Sequence, residues 1–242
     1  RVKEEVTPDL PAKIEINDII PLSLFERDTY DQIRQQAQSL LKSVPSQAKF
    51  QILPLLTKLR QICCHRGLVI SSASDHSSKL DRAMELLEQI NQGNRKVLIF
   101  SQFVQLLQKM KERILERDWE YCYLDGSTPT NQRQIEIERF QEGTPNIFLI
   151  SLKAGGSGIN LTQATEVIHL DPWWNPAIED QASDRAHRIG QTQTVTVIRL
   201  LAEDTIETQI LRLQQEKRHI AQDILSDSIS KLSLHEIEEL LD

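Results

Sequence analysis

Between Lys79 and Leu201 the chain keeps changing period, short apolar runs alternating with longer stretches whose apolar residues recur every three or four positions. The short runs are Lys96 to Ser101, Tyr121 to Leu124, Ile147 to Ile150, Val167 to Leu170 and Thr194 to Leu201, and they predict strands. Lys79 to Gln92, Phe103 to Arg117 and Thr130 to Gln141 predict helices; Gly93 stops the first, and Gly143 with Pro145 the third. Strands that are apolar on both faces and separated by helices imply a parallel sheet covered on either side. The predicted fold class is α/β, a doubly wound parallel sheet. Ligands of such sheets bind at loops beyond the strand C-terminal ends, so chemistry is to be sought there.

The flanks read differently. Lys13 to Leu22 alternates loosely, as a strand does, and Ser23-Leu24-Phe25-Glu26 is a capping box that starts a helix running to about Lys42. Pro45 and Ser46 break it, and Phe50 to Cys64 is a second helical stretch, with Pro54 falling early in it. Ser71 to Ser78 is polar, lacks apolar periodicity and reads as a linker. After the last strand, Asp204 is the expected N-cap of a helix from Thr205 to about Leu225, and Leu234 to Leu241 is a short acidic segment. The expected organisation is an N-terminal extension over 1–78, an α/β core over 79–202, and packing helices with an acidic tail over 203–242.

The net charge of −7 argues at first against a polyanionic partner. Its distribution removes that argument. The last 43 residues hold ten acidic and four basic residues, so residues 1 to 199 carry 24 basic against 25 acidic. A nearly neutral body still carries local cations for phosphates. Cys63, Cys64 and Cys122 are an odd number at no disulfide spacing, which favours reduced thiols in an intracellular protein. Adjacent Cys63 and Cys64 lack the paired spacing of a structural zinc site, so no metal is expected there. No apolar run approaches the ~20 residues that span a bilayer, so no membrane partner is expected.

Three loops carry candidate chemistry. Ser151-Leu152-Lys153-Ala154-Gly155-Gly156-Ser157-Gly158 follows a strand, and its glycines let amides approach a phosphate closely. It is neither a P-loop nor a dinucleotide fingerprint. Asp171-Pro172-Trp173-Trp174-Asn175-Pro176 places two tryptophans at the ligand edge, either packed on the next helix or offered to a partner. Asn175 and Pro176 then start a helix expected to run to about Ile189, on which Gln181, Arg185 and Arg188 share a face. Two guanidinium forks and an amide suit a polyphosphate; an ion-pair ladder with Glu179, Asp180 and Asp184 is the alternative.

Together, Lys96-Val97-Leu98-Ile99-Phe100-Ser101-Gln102-Phe103, Leu124-Asp125-Gly126-Ser127-Thr128, the Ser151-to-Thr162 loop, the Trp173-Trp174-Asn175-Pro176 segment and Asp184-Arg185-Ala186-His187-Arg188-Ile189-Gly190-Gln191 resemble the C-terminal, RecA-like motor lobe of Swi/Snf-type ATPases. These are double-stranded-DNA translocases of helicase superfamily 2, and the resemblance runs from about residue 10 to 226. It implies that Arg188 is the arginine finger, Arg185 a second phosphate contact, and Gln181 part of the same helicase motif. Gly156 and Gly158 fall in the loop that such lobes place against ATP and DNA. Ser101, Gln102, Ser151, Lys153 and Trp174 match positions directed to DNA. Leu59 to Arg66 is similar to the family signature ending in Asn-His-Pro, with Cys64 and Arg66 in place of the Asn and Pro.

The resemblance also implies what this chain lacks. Nothing fits Gly-x-x-x-x-Gly-Lys-Ser/Thr or a following Asp-Glu-x-His, so the phosphate-cradling lysine and the ligands of Mg2+ are expected on a preceding N-terminal motor lobe. ATP, double-stranded DNA and that lobe are the expected partners, with a DNA-bound protein as a further target. The isolated chain is expected to be inactive, and the location cytoplasmic or nucleoid in a prokaryote, nuclear in a eukaryote. The alternatives are a non-catalytic DNA- or protein-binding module of the same fold, an unrelated doubly wound nucleotide-binding enzyme, and a strand-separating helicase.

Overall fold

A computed structural model describes residues 10–43, 45–71, 76–155, 158–218 and 232–241. Strands β1 (Lys13–Ile20), β2 (Val97–Ser101), β3 (Tyr121–Leu124), β4 (Ile147–Ser151), β5 (Glu166–His169) and β6 (Val195–Ala202) form one sheet in the order β1-β6-β5-β2-β4-β3. Pairs β2–β4, β2–β5, β3–β4 and β5–β6 are parallel. So is β1–β6, because the Val195 amide donates to the Ala12 carbonyl and the Glu203 amide to the Ile20 carbonyl at the same offset. Every residue of β2, β4 and β5 is buried, as a sheet covered on both faces requires. The helices are α1 (Leu24–Ser43), α2 (Pro45–Cys64), α3 (Ser78–Gln92), α4 (Val104–Leu115), α5 (Thr130–Glu142), the single turn α6 (Leu152–Gly155), α7 (Pro176–Ser183), α8 (Ile206–Arg218) and α9 (Leu234–Leu241).

The chain packs as two compact units. One takes in the chain to Asp18, Ala83–Leu170 and Ala177–Arg199; the other takes in Ile19–Arg82, Asp171–Pro176 and the chain from Leu200. The core of the second comes from α1, α2, α8 and α9, through residues such as Tyr30, Ile52, Leu56, Leu59, Ile206, Ile237 and Leu240. The expected capping box begins α1: the Ser23 amide and hydroxyl donate to Glu26 Oε2 at 2.8 Å and 2.7 Å. Ser233 and Glu236 repeat the device at α9. In the same unit the buried Lys79 donates two hydrogen bonds to the buried Glu207.

Four boundaries differ from the sequence reading. Helix α2 begins at Pro45, which leaves Pro54 in its interior, where it removes one amide donor; the flanking Leu55 and Leu56 are buried and hold the helix there. Ser77 and Ser78 are not linker. Ser77 Oγ accepts from the Leu80 amide and donates to the Cys64 carbonyl, capping α3; residues 72–75 lie outside the described residues. The cap of α8 is Thr205, whose Oγ1 accepts from the Glu207 amide, while Asp204 takes φ +50° in the preceding turn. The continuation of α8 to Leu225 also lies outside the described residues. The fourth difference, the early end of α7, concerns the site itself.

Candidate functional site

Parallel register sets the first group of candidates side by side. Ser101 pairs with Ser151, Leu124 with Ile150 and Phe100 with His169, so Ser101, Asp125, Ser151 and Leu170 lie along one edge of the first unit, at the strand C-terminal ends. Ser101 Oγ accepts from the Phe103 amide at 3.0 Å, and Ser151 Oγ from the Ala154 amide at 3.4 Å, so both serines shape the loops they begin. Gln102 is half-buried and Lys153 exposed. Beside them, Asp125 accepts from Ser127, Thr128 and Tyr123; burial opposes ionisation, yet these bonds hold its carboxyl below the ordinary range.

The glycine-rich segment opens with α6, and Arg133 of α5 donates to its Ala154 carbonyl at 3.1 Å. Gly156 lies outside the described residues. Gly158 has φ +62°, a conformation that only glycine adopts without strain, and is exposed.

The arginine segment is not the helix that spacing predicts. Helix α7 ends at Ser183, and the chain continues as a series of turns, so Gln181, Arg185 and Arg188 do not share one helical face. The cause is a competition for carbonyls. An α-helix would give the carbonyls of Arg185 and Ala186 to the amides four residues on. Here the Arg185 carbonyl accepts from the Leu161 amide at 2.9 Å, and the Ala186 carbonyl from Gln191 Nε2 at 3.2 Å. Gly190, at φ +105°, closes the turn. The segment brings Arg185 and Arg188 together electrostatically: burial, then the like charge of Arg188, lowers the Arg185 pKa, with Asp184 opposing. Arg185 is 7% exposed, and its buried Nε has no hydrogen-bond partner. Arg188 and Gln181 are exposed.

Of the acidic residues in the alternative ladder, Asp184 acts on Arg185, and Glu179 turns to another strand. Glu179 pairs with Arg199 of β6 at 2.9 Å, and Arg199 also reaches Glu15 at 2.8 Å. Burial works against Arg199, but the two carboxylates outweigh it and raise its pKa. A second brace lies beneath the turn: His169 Nε2 is 2.9 Å from Ser183 Oγ, and its ring stacks on Phe100 at 5.5 Å. Burial, then the charges of Arg199 and Lys13, holds that imidazole down at about 3, so it is neutral. Arg133, His169, Gln191 and Arg199 were not among the sequence-derived site residues. Arg199 inside an apolar strand and His169 inside Val167-Ile168-His169-Leu170 were the available signals, because a polar group there needs a buried partner.

Trp174 belongs to the second unit. It is partly buried against the helical core, with the Arg60 guanidinium 4.9 Å from its ring. Arg60 also donates to the Pro172 carbonyl at 2.5 Å and lies 3.6 Å from Asp171. Trp174 thus packs on the helical core of the second unit rather than on the helix that Pro176 begins, and it stays partly exposed. A cavity of about 390 Å³ in that unit, lined by Ser23, Leu24, Phe25, Glu26, Arg66 and His76, contains none of the candidate residues. Among the described residues no three His, Cys, Asp or Glu side chains converge as metal ligands, and no helix is long and apolar enough to cross a membrane.

Comparison with known proteins places this arrangement. Residues 78–190 match the family described as helicase conserved C-terminal domain. A putative ATP-dependent helicase/translocase of Bacillus subtilis, YwqA, is 38% identical over 98% of this chain and 27% of its own length. The Sulfolobus solfataricus SWI2/SNF2 ATPase C-terminal domain superposes with TM-score 0.76 at 31% identity, covering 94% of this chain and 97% of that one. The ATPase core from the same organism, in complex with double-stranded DNA, gives TM-score 0.82 at 33% identity over 98% of this chain and 52% of that one. The chain spans about a quarter of the length of the curated relatives it matches.

Proposed function

Because this chain belongs to the Swi/Snf-type helicases, as their C-terminal lobe, we propose that it is half of a motor that uses ATP to translocate along double-stranded DNA. The observation that carries this reading is the buried, unpartnered Arg185 Nε beside a second guanidinium, in a turn bonded directly to the glycine-rich loop. A buried donor without an acceptor is costly, and two like charges repel; a polyphosphate relieves both. Arg188, exposed at the lip of the turn, serves as the arginine finger, Arg185 as a second phosphate contact, and Gln181 supports them from α7. Gly156 and Gly158 supply backbone approach to ATP. In this reading Mg2+ would be held by the preceding lobe and would offset phosphate charge, while this lobe's residues bind and orient.

Lys153, Ser101, Gln102, Ser151 and Trp174 are assigned to DNA. The exposed Lys153 ammonium suits phosphates rather than base edges, with Ser101 and Ser151 shaping the loops around it, so binding has little sequence preference and depends strongly on salt. Closing the cleft gives Arg185 and Arg188 their acceptor; hydrolysis removes it. Alternating closure, with each lobe gripping the backbone, moves the motor without separating the strands. The test is Arg188→Ala in the full-length protein. DNA-stimulated ATPase should fall by about 10³-fold or more, and a rate near wild type sinks the finger assignment. A forked duplex left paired during ATP turnover supports translocation, and strand displacement argues for a helicase proper.

A further inference from the structure

The last residue of the arginine segment, Gln191, spends both polar atoms of its side chain on backbone groups. Gln191 is 7% exposed. Its Nε2 donates to the carbonyls of Thr162 at 3.0 Å, Ala164 at 2.9 Å and Ala186 at 3.2 Å. Its Oε1 accepts from the amides of Thr192 and Gln193, each at 2.9 Å. Only this orientation of the amide meets carbonyls with nitrogen and amides with oxygen.

The two ends do different work. Capping the turn at Thr192 and Gln193 needs only an acceptor, which Asp, Asn or Ser would supply. The nitrogen does something no turn requires: it holds two carbonyls on the return limb of the glycine-rich loop and one in the arginine turn. Together with the Leu161 amide on the Arg185 carbonyl at 2.9 Å, it ties the two segments at three points, and its bond to Ala186 braces the turn internally.

We propose that Gln191 is a positioning residue that fixes the arginine turn to Leu161–Ala164, the segment that follows the glycine-rich loop, so that DNA engaged through that loop sets where Arg185 and Arg188 stand relative to ATP. The proposal rests on the nucleotide role given to those arginines above. Gln191 touches neither ligand. Its loss leaves the contacts to ATP and DNA in place but blurs their geometry, which lowers turnover rather than binding.

The experiment uses the full-length protein with Gln191→Glu and Gln191→Leu. Gln191→Glu keeps the acceptor for Thr192 and Gln193 and turns an oxygen toward the three carbonyls. At about pH 8, DNA-stimulated kcat should fall on the order of 10²-fold, with KM for ATP and Kd for duplex DNA unchanged. Toward about pH 6 the Gln191→Glu rate, as a ratio to wild type, should recover, because burial against three carbonyl oxygens raises the carboxyl's pKa and its protonated form donates again; Gln191→Leu should not recover. Arginine side chains stay charged across that range, and the ratio to wild type removes pH effects common to both proteins, including any that involve His187 or Asp184 in the same turn.

Unaltered kcat in both variants overturns the proposal. So does a fall in kcat matched by equal losses of DNA affinity and melting temperature, which makes Gln191 a residue of the fold alone. Arg188→Ala, measured alongside, separates the two claims. Full ATPase in that variant sinks the nucleotide reading, whereas an inactive Arg188→Ala beside active Gln191 variants sinks only the link.

Discussion

Replacing Lys79 with methionine isolates the cost of a buried charge. Lys79 Nζ donates to Glu207 at 2.5 Å and 2.7 Å, and neither side chain meets solvent. Burial works against the ammonium, but Glu207 more than offsets it, so Lys79 holds its proton above the ordinary lysine range. Burial also pushes the Glu207 carboxyl up, and Lys79 pulls it back. In Lys79→Met that pull is gone, and the folded chain takes up a proton on Glu207 that an unfolded carboxyl, with a pKa of about 4.3, does not hold at pH 7. About 2.7 pH units at about 1.36 kcal/mol each make this cost about 3.7 kcal/mol, within the ~3–5 kcal/mol typical of breaking a buried pair from one side.

The pH dependence follows from the direction of the shift. A carboxyl with a raised folded pKa favours folding below its unfolded pKa and loses that contribution as pH rises through the folded value. The Lys79→Met penalty should therefore shrink to about 1 kcal/mol at pH 5 and grow by about 1.36 kcal/mol for each unit above. Glu207→Gln should slope the other way, because a buried lysine without its carboxylate has a lowered pKa and destabilises the fold below it. Urea unfolding followed by circular dichroism across this pH range measures both. A Lys79→Met penalty under about 1 kcal/mol at pH 7, or one independent of pH, refutes the reasoning.

Three shorter tests bear on the site. Gly190→Ala forces a side chain into φ +105°, although its Cβ would have ordinary clearance from Thr162 at 3.9 Å; the strain should cost about 1–3 kcal/mol in thermal unfolding, and an unchanged midpoint contradicts it. His169 is neutral in the fold down to about pH 3. Stability should thus be full above the unfolded pKa of about 6.5 and fall as pH drops toward 3, with His169→Asn flattening that loss. Arg60→Met removes the cation stacked on Trp174 and a charge partner of the buried Asp171. It should cost about 3 kcal/mol in urea unfolding and shift tryptophan emission to the red.

The sheet was legible because β2, β4 and β5 are buried on both faces, so apolar runs fill them between polar end residues such as Ser101, Ser151 and His169, and local pattern suffices. The end of α7 was not. Its stretch from Pro176 to Ile189 contains nothing that forbids a helix. What stops it is the Leu161 amide, 24 residues back, and the Gln191 side chain beyond the turn, each taking a carbonyl the helix would have used. Spacing sees neither. Asp204 and Thr205 show the same limit on a smaller scale: both residue types cap helices, and only the positive φ at Asp204 decides between them. The assignment of Arg185 and Arg188 to phosphate came from residue type and resemblance, and it now has a second support in the unpartnered Nε.

The end position of β1 in the sheet has a consequence for the protein in concentrated solution. An edge strand offers its outward backbone groups to any extended chain, and Ile14, Ile16 and Ile19 are 49%, 44% and 46% exposed along it. Lys13, Glu15 and Asp18 interrupt that apolar row, and edge-to-edge stacking would have to strip water from them. Most surface carboxylates lose this deterrent in acid. Glu15 does not: burial raises its pKa, but the hydrogen bond from Lys13 and the charge of Arg199 outweigh it and bring the carboxyl to about 2. The cation that braces α7 also favours a charged carboxylate at the rim of the sheet in acid below the usual carboxylate range.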